Sequence, residues 1–211
     1  MTLTRRTLTL SPVAALALGA VAPALAAPAL GADDQALVNM ATAYLQSLDE
    51  ARGRFTQTDA RGQTVQGTFF LKRPGKARFE YDAPSGMVVV SDGAAVTVAD
   101  GRLQTFTRYP LSTTPLSLFL AKTIRLDRGV TIIGVEKQAT SFTIVARDGG
   151  RRTPGQLALT FTTSPIQLLS WAATDAQART TRVRLTGFER TSGLDKALFV
   201  PRDPRRSQTR L

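Results

Sequence analysis

Between residues 54 and 188, apolar and polar positions alternate in short runs separated by turn formers. A period of two is the pattern of a half-buried β-strand. It predicts strands over 54–58, 65–73, 77–81, 87–91, 95–99 and 103–107, then over 130–135, 142–146, 157–162, 166–173 and 180–188. The breaks include Pro74-Gly75, Pro84-Ser85-Gly86, Asp92-Gly93, Asp100-Gly101 and Ser164-Pro165. Short strands joined by such turns form antiparallel meanders rather than βαβ units. Two stretches have a different period. Leu37, Met40, Ala41, Tyr44, Leu45 and Leu48 recur at helical spacing and predict an amphipathic helix over 34–51. Asp33 and Asp34 suit its positive end as caps. Leu116, Leu118, Phe119 and Leu120 follow Thr114 and Pro115, which fit an N-cap and a first helical turn. This second helix is short and very apolar. It either plugs the core or covers an opening.

The hairpin around Pro74-Gly75 carries one residue against the pattern. Val65, Gly67, Phe69, Leu71 and Arg73 share one parity, and Ala77, Phe79 and Tyr81 share another across the turn. Successive strand side chains point to opposite faces, so Arg73 falls on the face that should be buried. Burying an unpaired charge is costly. Arg73 therefore either reaches out to water at the strand end or has a dedicated partner.

The fold class expected is mainly β with helices (α+β): one antiparallel sheet of about ten or eleven strands, an N-terminal helix and one inserted apolar helix. A sheet that long curls. If its helices do not fill it, an apolar cavity remains. Nothing in residues 27–211 marks a second domain or a repeat, and 202–211 read as a basic, mobile tail.

The address comes from the first 26 residues. Arg5 and Arg6 precede a mostly apolar run, and Ala24-Leu25-Ala26 fits a small-x-small cleavage pattern. Residues 1–26 read as a signal peptide, with export through the general secretory route or, given the arginine pair, the twin-arginine route. The expected location is the periplasm. Removing the leader takes two arginines and no acid, which lowers the net charge from +11 to +9. That charge attracts anionic surfaces. Much of it lies on alternate strand positions such as Arg182 and Arg184 and in the tail, as expected of a solvated face. Export disfavours nucleic acid as a partner.

The chain has no cysteine and no histidine. This excludes disulfide staples, thiolate or imidazole metal sites, cysteine nucleophiles and histidine-based triads. Asp82, Asp92 and Asp100 lie in or beside turns, where aspartate is usually structural. No catalytic residues, metal or cofactor are expected.

Arg54-Phe-Thr-Gln57, Gly67-x-Phe-x-Leu-Lys-Arg-Pro-Gly75, Arg78-Phe-Glu-Tyr-Asp82 with Pro84, Val90-Ser-Asp-Gly93, Thr114-Pro-Leu116 and Phe199-x-Pro201 occur in this order. The ordered set resembles the periplasmic outer-membrane lipoprotein carrier proteins of the LolA type. The resemblance implies an unclosed β-barrel with a lid of short helices. It implies a chaperone that shields lipoprotein acyl chains between membranes. Its implied partners are outer-membrane lipoproteins, an inner-membrane ABC transporter and, where present, an outer-membrane receptor, and the chain is expected to be a monomer.

On this resemblance Phe55, Phe69, Leu71, Phe79, Tyr81, Leu157, Leu159 and Phe161 form the acyl-chain wall. Pro115, Leu116, Phe119 and Leu120 form the lid helix. Arg73 is the latch that bonds to the lid when the carrier is empty. The family often has a bulkier residue where Ala77 stands and aromatics where Thr97 and Ala99 stand, which implies a wider or less aromatic cavity here. The competing readings are a periplasmic carrier of another lipid or glycolipid, and a sensor of mislocalised lipoproteins.

Overall fold

The computed structural model describes residues 30–114, 116–126, 130–148 and 155–205. The leader, Pro115 and the tail beyond Arg205 lie outside the described residues. Helix α1 (Ala32–Gln46) leads into β1 (Glu50–Thr58), β2 (Thr64–Lys72), β3 (Lys76–Tyr81), β4 (Met87–Asp92), β5 (Ala95–Asp100) and β6 (Thr105–Pro110). A 3-10 turn (Leu111–Thr113) and helix α2 (Ser117–Leu120) follow. The chain continues through β7 (Val130–Lys137), β8 (Ser141–Asp148), β9 (Gln156–Thr163), β10 (Ile166–Thr174) and β11 (Thr180–Arg190) to a second 3-10 turn (Lys196–Phe199).

All the strands form one antiparallel sheet in the order β6-β5-β4-β3-β2-β1-β11-β10-β9-β8-β7. Two meanders therefore meet where β1 pairs with β11. The outer strands β6 and β7 do not pair with each other, so the curled sheet is an unclosed barrel. The connection between them carries α2.

Several boundaries differ from the sequence expectation, each for a local reason. α1 stops at Gln46 rather than near residue 51. The carbonyls of Leu45 and Gln46 turn to the Arg73 guanidinium, and Ala51 already pairs with Leu71 in the sheet. Its N-cap is Gly31, with Asp33 and Asp34 inside the first turn. β6 starts at Thr105, because the Asp100 carboxylate accepts from the N–H groups of Arg102 and Leu103 and holds them in a turn. Thr114 does not cap α2, whose N-cap is Leu116. Its hydroxyl donates instead to Leu111 O, closing the 3-10 turn.

The core sits on the concave face. α1 buries Val38, Ala41, Tyr44 and Leu45 there, against a cluster that includes Phe142, Ile144, Leu157, Leu159 and Phe161. The opposite face of β3 and β4 is covered by the C-terminal segment. Phe199 is buried, and the Arg78 guanidinium donates to Leu198 O at 3.1 Å. Thr97 and Ala99 lie on this outer face, in a cleft of about 170 Å³ beneath Pro201 and Pro204. Their small size therefore opens space outside the sheet, not within the concave cavity as expected from sequence.

Surface carboxylates tie the strands together. Lys72 and the Leu194 N–H hold Glu50 below its ordinary pKa. Arg54 does the same for Asp82, and the Arg179 N–H leads the contacts that lower Asp175. A depressed carboxylate contributes stability above its unfolded pKa and loses it as pH falls through its folded value. The melting temperature is therefore expected to hold steady between pH 7 and about pH 5 and to fall below about pH 4. Calorimetry across that range checks this, and a melting temperature that rises on acidification would contradict it.

Candidate functional site: an apolar hollow under a strapped lid

The two meanders bring their strands to one hollow. Phe69 and Leu71 come from β2, Leu168 and Trp171 from β10, and Leu185 and Phe188 from β11. Leu45 and Leu48 enter from the end of α1 and the turn after it. Leu116, Phe119 and Leu120 close the hollow from α2 and its N-cap, and Arg73 stands at the rim. The lining is almost wholly apolar. Phe119 packs on Trp171 with ring centroids 5.6 Å apart, and Trp171 meets Phe79 edge-on at 6.0 Å. The remaining free space is about 50 Å³. That is a third of the roughly 150 Å³ cavity that holds benzene in a well-studied case. An acyl chain does not fit in that space as α2 stands.

The expected wall residues divide into two groups. Phe69 and Leu71 line the hollow. The other six stand in packed core beside it. Phe55 makes edge contacts with Phe79 and Tyr81 at 5.4 and 5.0 Å. Tyr81 donates to Gln57 at 2.8 Å, and burial pushes its phenol up to about 12. Phe161 stacks on Phe142 and meets the edge of Tyr44 from α1. Leu157 and Leu159 lie in the same cluster. α1 fills that end of the concave face, so the free space is displaced toward β2, β10 and β11.

Trp171, Phe188, Leu168 and Leu185 were missed as wall residues. For Trp171 and Phe188 the cause is two β-bulges. The register between β9 and β10 shifts between Leu168 and Ser170, so Leu168 and Trp171 face the same way despite opposite parity. The register between β1 and β11 shifts opposite Arg52 and Arg54, which brings Leu185 and Phe188 onto one face. Gly187, with φ of +58°, supplies the left-handed residue there. A glycine inside a strand pattern was the available signal.

Arg73 follows the last residue of β2. Its Nη1 donates to Leu45 O, to Gln46 O at 3.2 Å and to Leu48 O at 3.0 Å. Its Nη2 donates to Ala121 O at 2.7 Å, just beyond the lid helix. One guanidinium thus joins the end of α1 to the strap that follows α2. Burial lowers the Arg73 pKa from its ordinary value, and the Asp49 carboxylate partly offsets this. The side chain is still a cation, because arginine titrates far above neutrality. The adjoining turn adds a contact, from the Gly75 N–H to Leu120 O at 2.7 Å. In this arrangement the strap buries the side chains of Ile124 and Leu126. Among the described residues, no group of three or more acidic side chains is placed to hold a metal ion.

An unclosed antiparallel sheet with an apolar hollow on its concave side, covered by α2, is the architecture that places the chain in its class. Residues 46–202 match the family model "Outer membrane lipoprotein carrier protein LolA", and the chain belongs to that family. It is 33% identical over 142 residues to an outer-membrane lipoprotein carrier protein of Pseudomonas entomophila, covering 63% of this chain and 65% of that one. It is 27% identical over 169 residues to the corresponding protein of Leptothrix cholodnii, covering 74% and 76%. A Methylobacillus flagellatus relative is 36% identical over 102 residues, a segment that spans 44% of this chain and about half of that protein (49%). Among solved structures, an uncharacterized conserved protein from Thermus thermophilus has the same fold, with a TM-score of 0.50 at 13% identity, covering 82% of this chain and 96% of that one.

Proposed function

We propose that the chain is a periplasmic carrier that takes the acyl chains of lipoproteins into the hollow between β2, β10, β11 and the lid, and delivers them from the inner to the outer membrane. The observation that carries this reading is the Arg73 bridge between the end of α1 and the strap at Ala121. It adds hydrogen bonds to the apolar packing of the lid on the wall, with no covalent link, so closure is reversible. Each methylene withdrawn from water contributes about 0.8 kcal/mol. An acyl chain of a dozen or more methylenes thus carries enough free energy to displace a few hydrogen bonds from a charged donor, about 1.5–3 kcal/mol each. Phe119 and Leu120 then leave the wall, and acyl chains take their place. An inner-membrane ABC transporter would load the carrier and an outer-membrane receptor would unload it. No covalent step is involved.

The test is to add the mature protein to spheroplasts of the source organism. Lipoproteins are expected to appear in the soluble fraction as complexes with this chain. Trp171 is the single tryptophan and packs on the lid, so its emission should shift on loading. Lipoproteins that stay on the membrane, or recovery of a free glycolipid in their place, would overturn the reading.

A further inference from the structure

A second residue grips the strap, and it does so in a way that points to a ligand. Gln46 is the last residue of α1 and is exposed. Its Nε2 donates to Lys122 O at 3.1 Å, and its Oε1 accepts from the Ile124 N–H at 2.8 Å. A C=O and an N–H two residues apart are the groups that an extended strand offers its neighbour across an antiparallel ladder. The side-chain amide has one face of each kind and matches them together. Arg73 Nη2 takes the carbonyl of Ala121 just before this pair. On the other side of the strap, Leu120 and Ile124 are buried. The strap is therefore an amphiphile in miniature, with apolar groups directed inward and main-chain groups read at the rim.

Resting on the carrier reading above, we propose that Gln46 is a binding site for the main chain of the cargo. Once the lid is displaced, the polypeptide that follows the acylated residue of a lipoprotein takes over the two hydrogen bonds that Lys122 and Ile124 vacate. Apolar cargo groups replace Leu120 and Ile124 in the same step. The site reads only backbone groups, so it accepts any side chains. That property suits a carrier whose cargoes share a lipid and differ in sequence. It also places the start of the cargo polypeptide at the end of α1, beside the Arg73 guanidinium.

The experiment compares two probes. One is an N-acyl-S-diacylglyceryl cysteine methylamide. The other is the same lipidated cysteine extended by four serine and alanine residues. Affinities are read by titrating Trp171 emission in the wild type, Q46A and Q46E. The wild type is expected to bind the extended probe about ten-fold more tightly than the short one, as two added neutral hydrogen bonds imply. In Q46A the ratio should fall to about one. In Q46E, which keeps an acceptor and loses the amide donor, it should be about three. Release of the strap alters both affinities by the same factor and cancels from the ratio. A Q46A ratio equal to that of the wild type would mean that Gln46 only clamps the strap, and would overturn the proposal. So would a wild-type ratio of one. If the wild type binds neither probe, the carrier reading fails and takes this inference with it. Alanine is a good helix former, so the exposed end of α1 should survive the substitution.

Discussion

Replacing Arg73 with leucine is expected to open the lid of the empty protein and to impair release of cargo. Leucine satisfies the apolar parity of β2 but donates nothing. The carbonyls of Leu45, Leu48 and Ala121 then lose a charged donor together. Hydrogen bonds to charged groups contribute about 1.5–3 kcal/mol each. Water can reach the rim and recover much of this, so a net loss of about 2 kcal/mol is expected. For a domain of this size that lowers the melting temperature by about 4–8 °C. The larger effect is functional. On the proposed function, closure competes with acyl chains for the hollow, and removing the closed state's hydrogen bonds would shift the balance toward the loaded form. The variant should bind an apolar dye more strongly when empty. It should also accept lipoprotein from spheroplasts and retain it in the presence of acceptor membranes. Dye binding and delivery both at the wild-type level would remove the latch role. Lysine at this position is expected to restore stability only in part, because one ammonium cannot span the end of α1 and the strap as the planar fork does.

The architecture was largely legible in the sequence because antiparallel hairpins are local. Turn residues and alternation together set the meanders β1–β6 and β7–β11, and strand centres needed no tertiary information. Parity alone also marked Arg73 as a residue in need of a partner. What failed was the projection of parity over long distances. It assumes an unbroken period of two, and the bulges near Leu168 and Gly187 break it. Those bulges turn Trp171 and Phe188 into the hollow. The resemblance, joined to their clean alternation, placed Leu157, Leu159 and Phe161 in the wall. Their inward direction was right, but the depth to which α1 packs on them was invisible in a one-dimensional pattern. Gln46 was missed for a related reason. A glutamine at a helix end has no periodicity, and its partners at Lys122 and Ile124 lie more than seventy residues away.

The position of Thr97 and Ala99 adds a constraint on how the sheet is used. Both face the outer cleft beneath Pro201 and Pro204, while the hollow lies on the concave side. Substitutions at these two positions would act on the packing of the C-terminal segment against β4 and β5. Cargo binding should respond instead to Trp171, Phe119 and Leu168. The concave and outer faces of the one sheet are thus separable by mutation.

Gly67→Ala is expected to be strongly destabilising for a single-carbon change within a strand, and it should leave the latch intact. Gly67 pairs with Phe55 on β1 and with Tyr81 on β3. The Phe55 ring lies across it. A Cβ at this position would stand 2.6 Å from that ring and closer still to the Glu80 carbonyl oxygen. The ring can tilt, but the carbonyl belongs to the neighbouring strand. β3 must therefore move away from β2, at a cost of about 3 kcal/mol. The melting temperature should fall by about 6–12 °C. Adding Phe55→Ala relieves the ring contact and leaves the carbonyl clash. The double variant should therefore melt below Gly67→Ala alone, since it also loses a buried aromatic that touches Phe79 and Tyr81. Recovery of stability in the double variant would show that the ring, and not the strand spacing, sets the requirement for glycine. Arg73 lies at the other end of β2, fixed by α1 and the strap. The folded Gly67→Ala protein should therefore bind an apolar dye no more strongly than the wild type, the opposite of Arg73→Leu. If both variants raise dye binding equally, the lid responds to general loosening of the sheet, and a dedicated latch at Arg73 is no longer needed to explain closure.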